Sequence, residues 1–200
     1  MEKIQISKLT NFKPVGNHKR KKQIVLTHTS RYMKDYVRSL KYRLNGNNTK
    51  LPHYIISKGG EITQILPPET YSNYIDVPSY NKTIIVISLE NLGWLRKNPL
   101  VGGYINWIGN IYKDKVHERK WRGYFFWQPY SVEQMTTLSI LINKLCMDFN
   151  IPKTFIGHNV KVDDIERFNG IVTYSNYNKE RTDLNPSFNF DEFIKIMKND

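Results

Sequence analysis

The sequence predicts a single α/β domain, a central mixed β-sheet flanked by helices. Three observations carry that reading. Apolar, β-branched runs recur at residues 23–29 (QIVLTHT), 83–90 (TIIVISLE) and 171–173 (IVT), and runs this short suit buried strands. Two further runs, 53–57 and 61–66, flank Lys58–Gly59–Gly60 as a hairpin would. Between the runs lie stretches with apolar residues at helical spacing. Two hundred residues, 40% of them hydrophobic, suffice for one compact core.

Residues 1–22 read as a basic, irregular arm, densest in charge at His18–Lys22, with the folded domain spanning 23–200. After the first strand, Ser30 is a plausible N-cap. Met33, Val37, Leu40 and Leu44 then form an amphipathic stripe that the turn residues 45–50 stop. Pro67–Pro68 closes the hairpin, and 69–82 reads as loop. The 83–90 run is the most apolar of the strands and should be central. Alternation puts Ile84, Val86, Ser88 and Glu90 on one face.

All four Trp fall within an aromatic-rich insertion at about 91–129. Trp121 and Trp127 are expected to pack it onto the sheet, and Trp94, just past Glu90, to line a groove. Ser131 and Gln134 fit a capping box opening a helix whose stripe runs from Met135 to Phe149. Cys146 falls within that helical pattern and is expected as a small core residue. Asn189 is expected to cap a last helix with Phe190, Phe193, Ile194 and Met197 inward.

One Cys excludes a disulfide framework. No apolar run reaches the roughly 18 residues of a membrane span, and the basic N-terminus lacks the apolar stretch of a secretory signal. The expectation is therefore synthesis in the cytoplasm; the Lys-, Asn-, Ile- and Tyr-rich composition fits a phage or its bacterial host alike, with release at lysis or carriage on a virion as routes outward. A formal charge of +12 attracts polyanions and so allows nucleic acid as a partner. No helix-turn-helix, zinc-finger or RNA-binding sheet pattern accompanies that charge.

The most informative stretch is residues 170–190, GIVTYSNYNKERTDLNPSFNF. It resembles the end of the zinc amidase domain shared by T7-type phage lysozymes, bacterial N-acetylmuramoyl-L-alanine amidases and peptidoglycan recognition proteins. The resemblance covers most of residues 23–197. A strand ending in His28, an amphipathic helix, His53–Tyr54–Ile55–Ile56 with Gly60, Ile87–Ser88–Leu89–Glu90–Asn91, Tyr130–Ser131 with Gln134, and Thr182–Asp183 with Pro186 and Phe188 follow in the family's order.

The resemblance implies an amidase-type fold and a zinc ion held by three protein ligands, with peptidoglycan as the substrate. His28 falls on the first ligand position by the His-x-Ser pattern of His28–Thr29–Ser30; counted from the apolar run, Thr27 falls there instead. Asp183 falls on the third position. Tyr174 stands at the second, where the family has His, and His158 in Gly157–His158–Asn159 is an alternative. Glu90 matches a water-orienting acid, and Arg181 matches a Lys that steadies the oxyanion. Two functions follow: zinc-dependent hydrolysis of the amide between muramic acid and L-alanine, or a catalytically inactive pseudo-amidase that binds peptidoglycan or a protein partner.

Overall fold

The structure is a computed structural model that describes residues 5–199. Its strands begin with β1 (Ile6–Lys8), β2 (Gly16–Asn17) and β3 (Gln23–His28), before helix α1 (Met33–Tyr42). Then come β4 (Tyr54–Ile56), β5 (Ile62–Gln64), β6 (Thr70–Tyr71) and β7 (Ile84–Leu89). The insertion supplies β8 (Trp94–Asn98), β9 (Gly103–Ile105), β10 (Ile111–Tyr112), β11 (His117–Trp121) and β12 (Tyr124–Trp127). Helix α2 (Val132–Phe149), strand β13 (Gly170–Thr173), and helices α3 (Tyr174–Tyr177) and α4 (Phe190–Asn199) complete the chain.

The main sheet is mixed, in the order β1-β5-β4-β7-β3-β13. Strands β4, β7, β3 and β13 run parallel, β5 runs antiparallel to β4 as the hairpin requires, and β1 runs parallel to β5. The apolar 83–90 run is thus central, with every residue of β7 buried. Four parallel strands end along one rim, and in open α/β sheets ligands bind at that rim.

Pleating divides the side chains between two layers. Ile24 and Leu26 of β3, with Ile85, Ile87 and Leu89 of β7, pack against Leu138, Leu141 and Leu145 of α2 and Phe193 and Met197 of α4. Val25, Ile84 and Val86 face the other way, onto Tyr74, Ile165, Val172 and Tyr174. Cys146 is buried in the first layer. The capping box forms as the sequence predicts: Ser131 Oγ accepts from Gln134 N, and Gln134 Oε1 accepts from Ser131 N. Asn189 Oδ1 accepts from Glu192 N at 3.1 Å, the cap expected for α4.

Three expectations change. Within the segment read as an irregular arm, β1 joins the sheet edge beside β5 and β2 pairs with β6. Lys21, counted among the arm's charges, is buried, and its ammonium donates to the carbonyls of Thr70, Lys82 and Ile84. Ser30 does not cap α1: Tyr32 holds the cap position without a side-chain bond. The insertion is a second, antiparallel sheet in the order β10-β9-β8-β12-β11. Trp127 is fully buried there, with Trp121 tilted against it at 5.5 Å. No helix among the described residues is long and apolar enough to cross a membrane.

Candidate functional site

The site forms where β3, β7 and β13 end. Thr27 and Ser88 are register partners on neighbouring strands. By parity they share the face of Val25 and Val86, while His28 shares the face of Ile24 and Leu26. The Thr27 hydroxyl donates to Asp183 Oδ2. His28 gives Asp183 only its backbone N–H, at 3.2 Å. Its ring is buried, with Nδ1 3.3 Å from the Tyr130 hydroxyl. Gly93, at φ +74°, passes so close that a Cβ there would lie 3.1 Å from His28 Nε2. Of the two residues competing for the first position, Thr27 presents its side chain to Asp183 and His28 does not. Burial lowers the His28 pKa, opposed by Asp183 and aided by Arg181.

Asp183 is 1% exposed. Arg181 Nε lies 3.2 Å from its Oδ1, and Arg181 Nη2 donates to its Oδ2 at 3.2 Å. Burial alone would raise the Asp183 pKa. The guanidinium, His28 and the Thr27 hydroxyl outweigh that and hold it down at about 2. The loop carrying both residues is tied in place locally. Ser175 N donates to Asp183 O and Ser175 Oγ to Arg181 O, while Asn159 brackets the next peptide through Leu184 N and Leu184 O.

Tyr174 opens α3 directly after β13. Its hydroxyl donates to Asp76 Oδ2 at 2.9 Å and accepts from Lys50 Nζ at 3.3 Å. Burial, then the bond to Asp76, push its phenol well up, so it stays protonated. Its ring carries the Arg181 guanidinium at 4.3 Å. The structure thus brings Thr27, Tyr174, Arg181 and Asp183 together on one face.

The remaining candidates lie apart from that cluster. Both Glu90 oxygens accept backbone amides: Oε1 from Met33 N at 2.7 Å and Oε2 from Lys58 N at 2.8 Å. The carboxylate caps α1 in place of Ser30 and anchors the β4–β5 turn. His158 is exposed, with Nδ1 accepting from Val160 N. Trp94 does not line the cleft; it stacks on Tyr124 within the second sheet at 4.5 Å. The Trp at the cleft is Trp107, 51% exposed, whose Nε1 donates to Ser30 O at 3.2 Å.

A cavity of about 410 Å³ opens in front of the cluster, bounded among others by Arg31, Arg43, Lys50, Trp107 and Arg181. At one side three hydroxyls meet: Tyr74 Oη lies 3.2 Å from Ser88 Oγ and 3.4 Å from Tyr36 Oη. Sequence reasoning missed Lys50, Asp76, Tyr36 and Tyr74, which lie in loops or on a helix face and meet only in space. Ser88, on the central strand's cleft face, was the one signal pointing there.

As a zinc site the donor set does not fit. Three anionic or imidazole donors are needed. Thr27 offers a neutral hydroxyl; the His28 ring, at the edge of the cavity, meets the Tyr130 hydroxyl and makes no side-chain bond to Asp183; Tyr174 offers a protonated phenol turned to Asp76, and Asp183 a carboxylate already carrying a guanidinium. Among the described residues no three His, Cys, Asp or Glu side chains converge as a metal would require.

Comparison with known proteins gives a concordant picture. A family model described as N-acetylmuramoyl-L-alanine amidase matches residues 17–170. The amidase LysC from Clostridium intestinale superposes with a TM-score of 0.56 at 16% identity, covering 98% of this chain and 99% of that one. AmiD from E. coli, solved with anhydro-N-acetylmuramic acid-L-Ala-D-gamma-Glu-L-Lys, gives 0.58 at 15% identity, over 91% of this chain and 59% of its own. The Ph2119 endolysin of a Thermus scotoductus bacteriophage gives 0.53 at 11% identity, over 96% and 99%. No curated protein matches.

Proposed function

The chain belongs to the N-acetylmuramoyl-L-alanine amidase family, and from that premise we propose that it binds peptidoglycan in the rim cleft without hydrolysing it through zinc. One observation carries this reading: Asp183, the carboxylate expected at the third ligand position, is buried and already paired with Arg181. A cation brought to the same carboxylate would meet a fixed positive charge, and Coulomb repulsion in a buried setting is strong. The second position reinforces this, since Tyr174 keeps its proton and spends it on Asp76. AmiD, which has the same fold, was solved with a muramyl peptide; the cleft of this chain offers room, hydroxyls and cations to such a ligand.

The test is sedimentation of the purified protein with insoluble peptidoglycan, with zinc and with chelator, while newly released L-alanine amino groups are assayed. Binding insensitive to chelator, with no amino groups released, is expected. Chelator-sensitive release would restore the zinc hydrolase reading. Failure to sediment under either condition would remove peptidoglycan as the ligand.

A further inference from the structure

The cleft continues past the cluster just described. Its cavity adjoins a second hollow of about 560 Å³ beside α1, and the two share Arg31 and Ser39. Five cations line the joined groove, Arg31, Arg38, Arg43, Lys50 and Arg181, against one acid, Asp35, whose Oδ2 accepts from Asn110. Lys50 and Arg181 are engaged with Asp76 and Asp183. Arg31, Arg38 and Arg43 have no carboxylate within ion-pair distance among the described residues. Lys34 and Lys41, both exposed, extend the row along α1. Positions 34, 38 and 41 form one helical stripe with about one cation per ~5 Å turn.

We propose that this groove binds a linear phosphodiester polymer, specifically a polyol-phosphate chain of the kind that accompanies peptidoglycan in a wall. A single carboxylate would need one cation. A row of unpaired cations fits a chain that repeats its charge, and the guanidinium fork matches phosphate oxygens in pairs. A single-stranded nucleic acid shares that chemistry but also stacks its bases on free aromatic faces. Here one face of Trp107 carries Arg31 at 4.8 Å and one face of Tyr42 carries Lys41 at 5.5 Å, which leaves fewer free faces for stacking. This inference goes beyond the peptidoglycan reading and can stand without it.

The experiment titrates the full chain with poly(glycerol phosphate), with polyglutamate of equal charge and with oligo-dT, across a salt series. The combined variant Arg31→Gln, Arg38→Gln, Arg43→Gln is run beside a charge-matched control, Lys153→Gln, Lys195→Gln, Lys198→Gln, on exposed positions elsewhere. Poly(glycerol phosphate) should bind tightest. The arginine variant should lose at least tenfold in affinity and about 2 from the slope of log K against log salt, as loss of three phosphate contacts implies. The control should keep both. Equal or tighter binding of oligo-dT or polyglutamate, or equal losses in the two variants, would overturn the proposal. Sedimentation with phosphate-free peptidoglycan, scored separately, shows whether the cleft reading stands or falls by itself.

Discussion

The guanidinium of Arg181 lies 4.3 Å above the ring of Tyr174 while its Nε sits 3.2 Å from Asp183 Oδ1. One cation therefore bridges two of the three residues that the sequence resemblance proposes as metal ligands. Protein purified without chelator should carry far less than one zinc per chain, measured by plasma mass spectrometry. The combined variant Thr27→His, Tyr174→His, Arg181→Gln should gain zinc toward one per chain, since it supplies two imidazoles and frees the carboxylate. One zinc in the wild type would refute the assignment.

Arg181→Gln alone should be costly, because it leaves a buried carboxylate without its partner. The loss expected is about 2 kcal/mol, below the roughly 3–5 kcal/mol of a fully buried pair because Arg181 is a third exposed. Urea unfolding measures it. Adding Asp183→Asn to that variant should recover much of the loss; no recovery would mean that Arg181 stabilises the fold some other way.

The pair also sets an acid limit. The Asp183 carboxyl titrates at about 2 in the folded chain against 3.8 ordinarily. Its contribution is complete above the unfolded value and is lost as pH falls through the folded one, in all about 2 kcal/mol. Unfolding free energy should drop between pH 4 and pH 2, and Asp183→Asn should flatten that limb.

A second limb begins at higher pH. Burial first, and Lys21 second, lower the His53 pKa from 6.5 to about 3. Its Nδ1 accepts from Val86 N and its Nε2 reaches Thr70 O, so the neutral ring bridges two strands. A depressed folded pKa means stability present above 6.5 and eroded as pH falls toward 3, at up to about 1.4 kcal/mol per pH unit. His28 is lowered in the same direction. His53→Gln should therefore reduce the slope between pH 6.5 and 4 in urea titrations, leaving the share owed to His28.

Glu90 is predicted to position the rim without taking part in chemistry. Glu90→Ala removes the acceptor of two backbone amides and should cost about 2 kcal/mol. Glu90→Gln, which keeps one acceptor, should cost less. Sedimentation with peptidoglycan should be unchanged in Glu90→Gln; its loss would give Glu90 a role in the cleft beyond holding the two amides.

Much of this was legible in the chain. The hairpin, the central strand and the α2 capping box rest on local patterns, and local patterns survive folding. The choice between Thr27 and His28 did not, because a shift of one residue along a strand exchanges its two faces. Glu90 receives amides from residues 33 and 58, contacts no spacing rule foretells. Lys21 looked like one more surface charge, and its burial depends on three carbonyls brought from residues 70, 82 and 84. Strand β1, three residues long, is too brief to show alternation.

The borders of the main sheet carry a consequence for life at high concentration. On one side β13 is screened by the 154–156 segment, through Ile171 N to Thr154 O and Ile156 N to Ile171 O. On the other, β1 is short and ends in the exposed Lys8. Unpaired strand borders invite other chains to add on, and brevity, charge and cover each discourage it. A protein whose own positive charge gathers it on polyanionic surfaces would be crowded there against its own copies, and these guarded borders let it accumulate without polymerising.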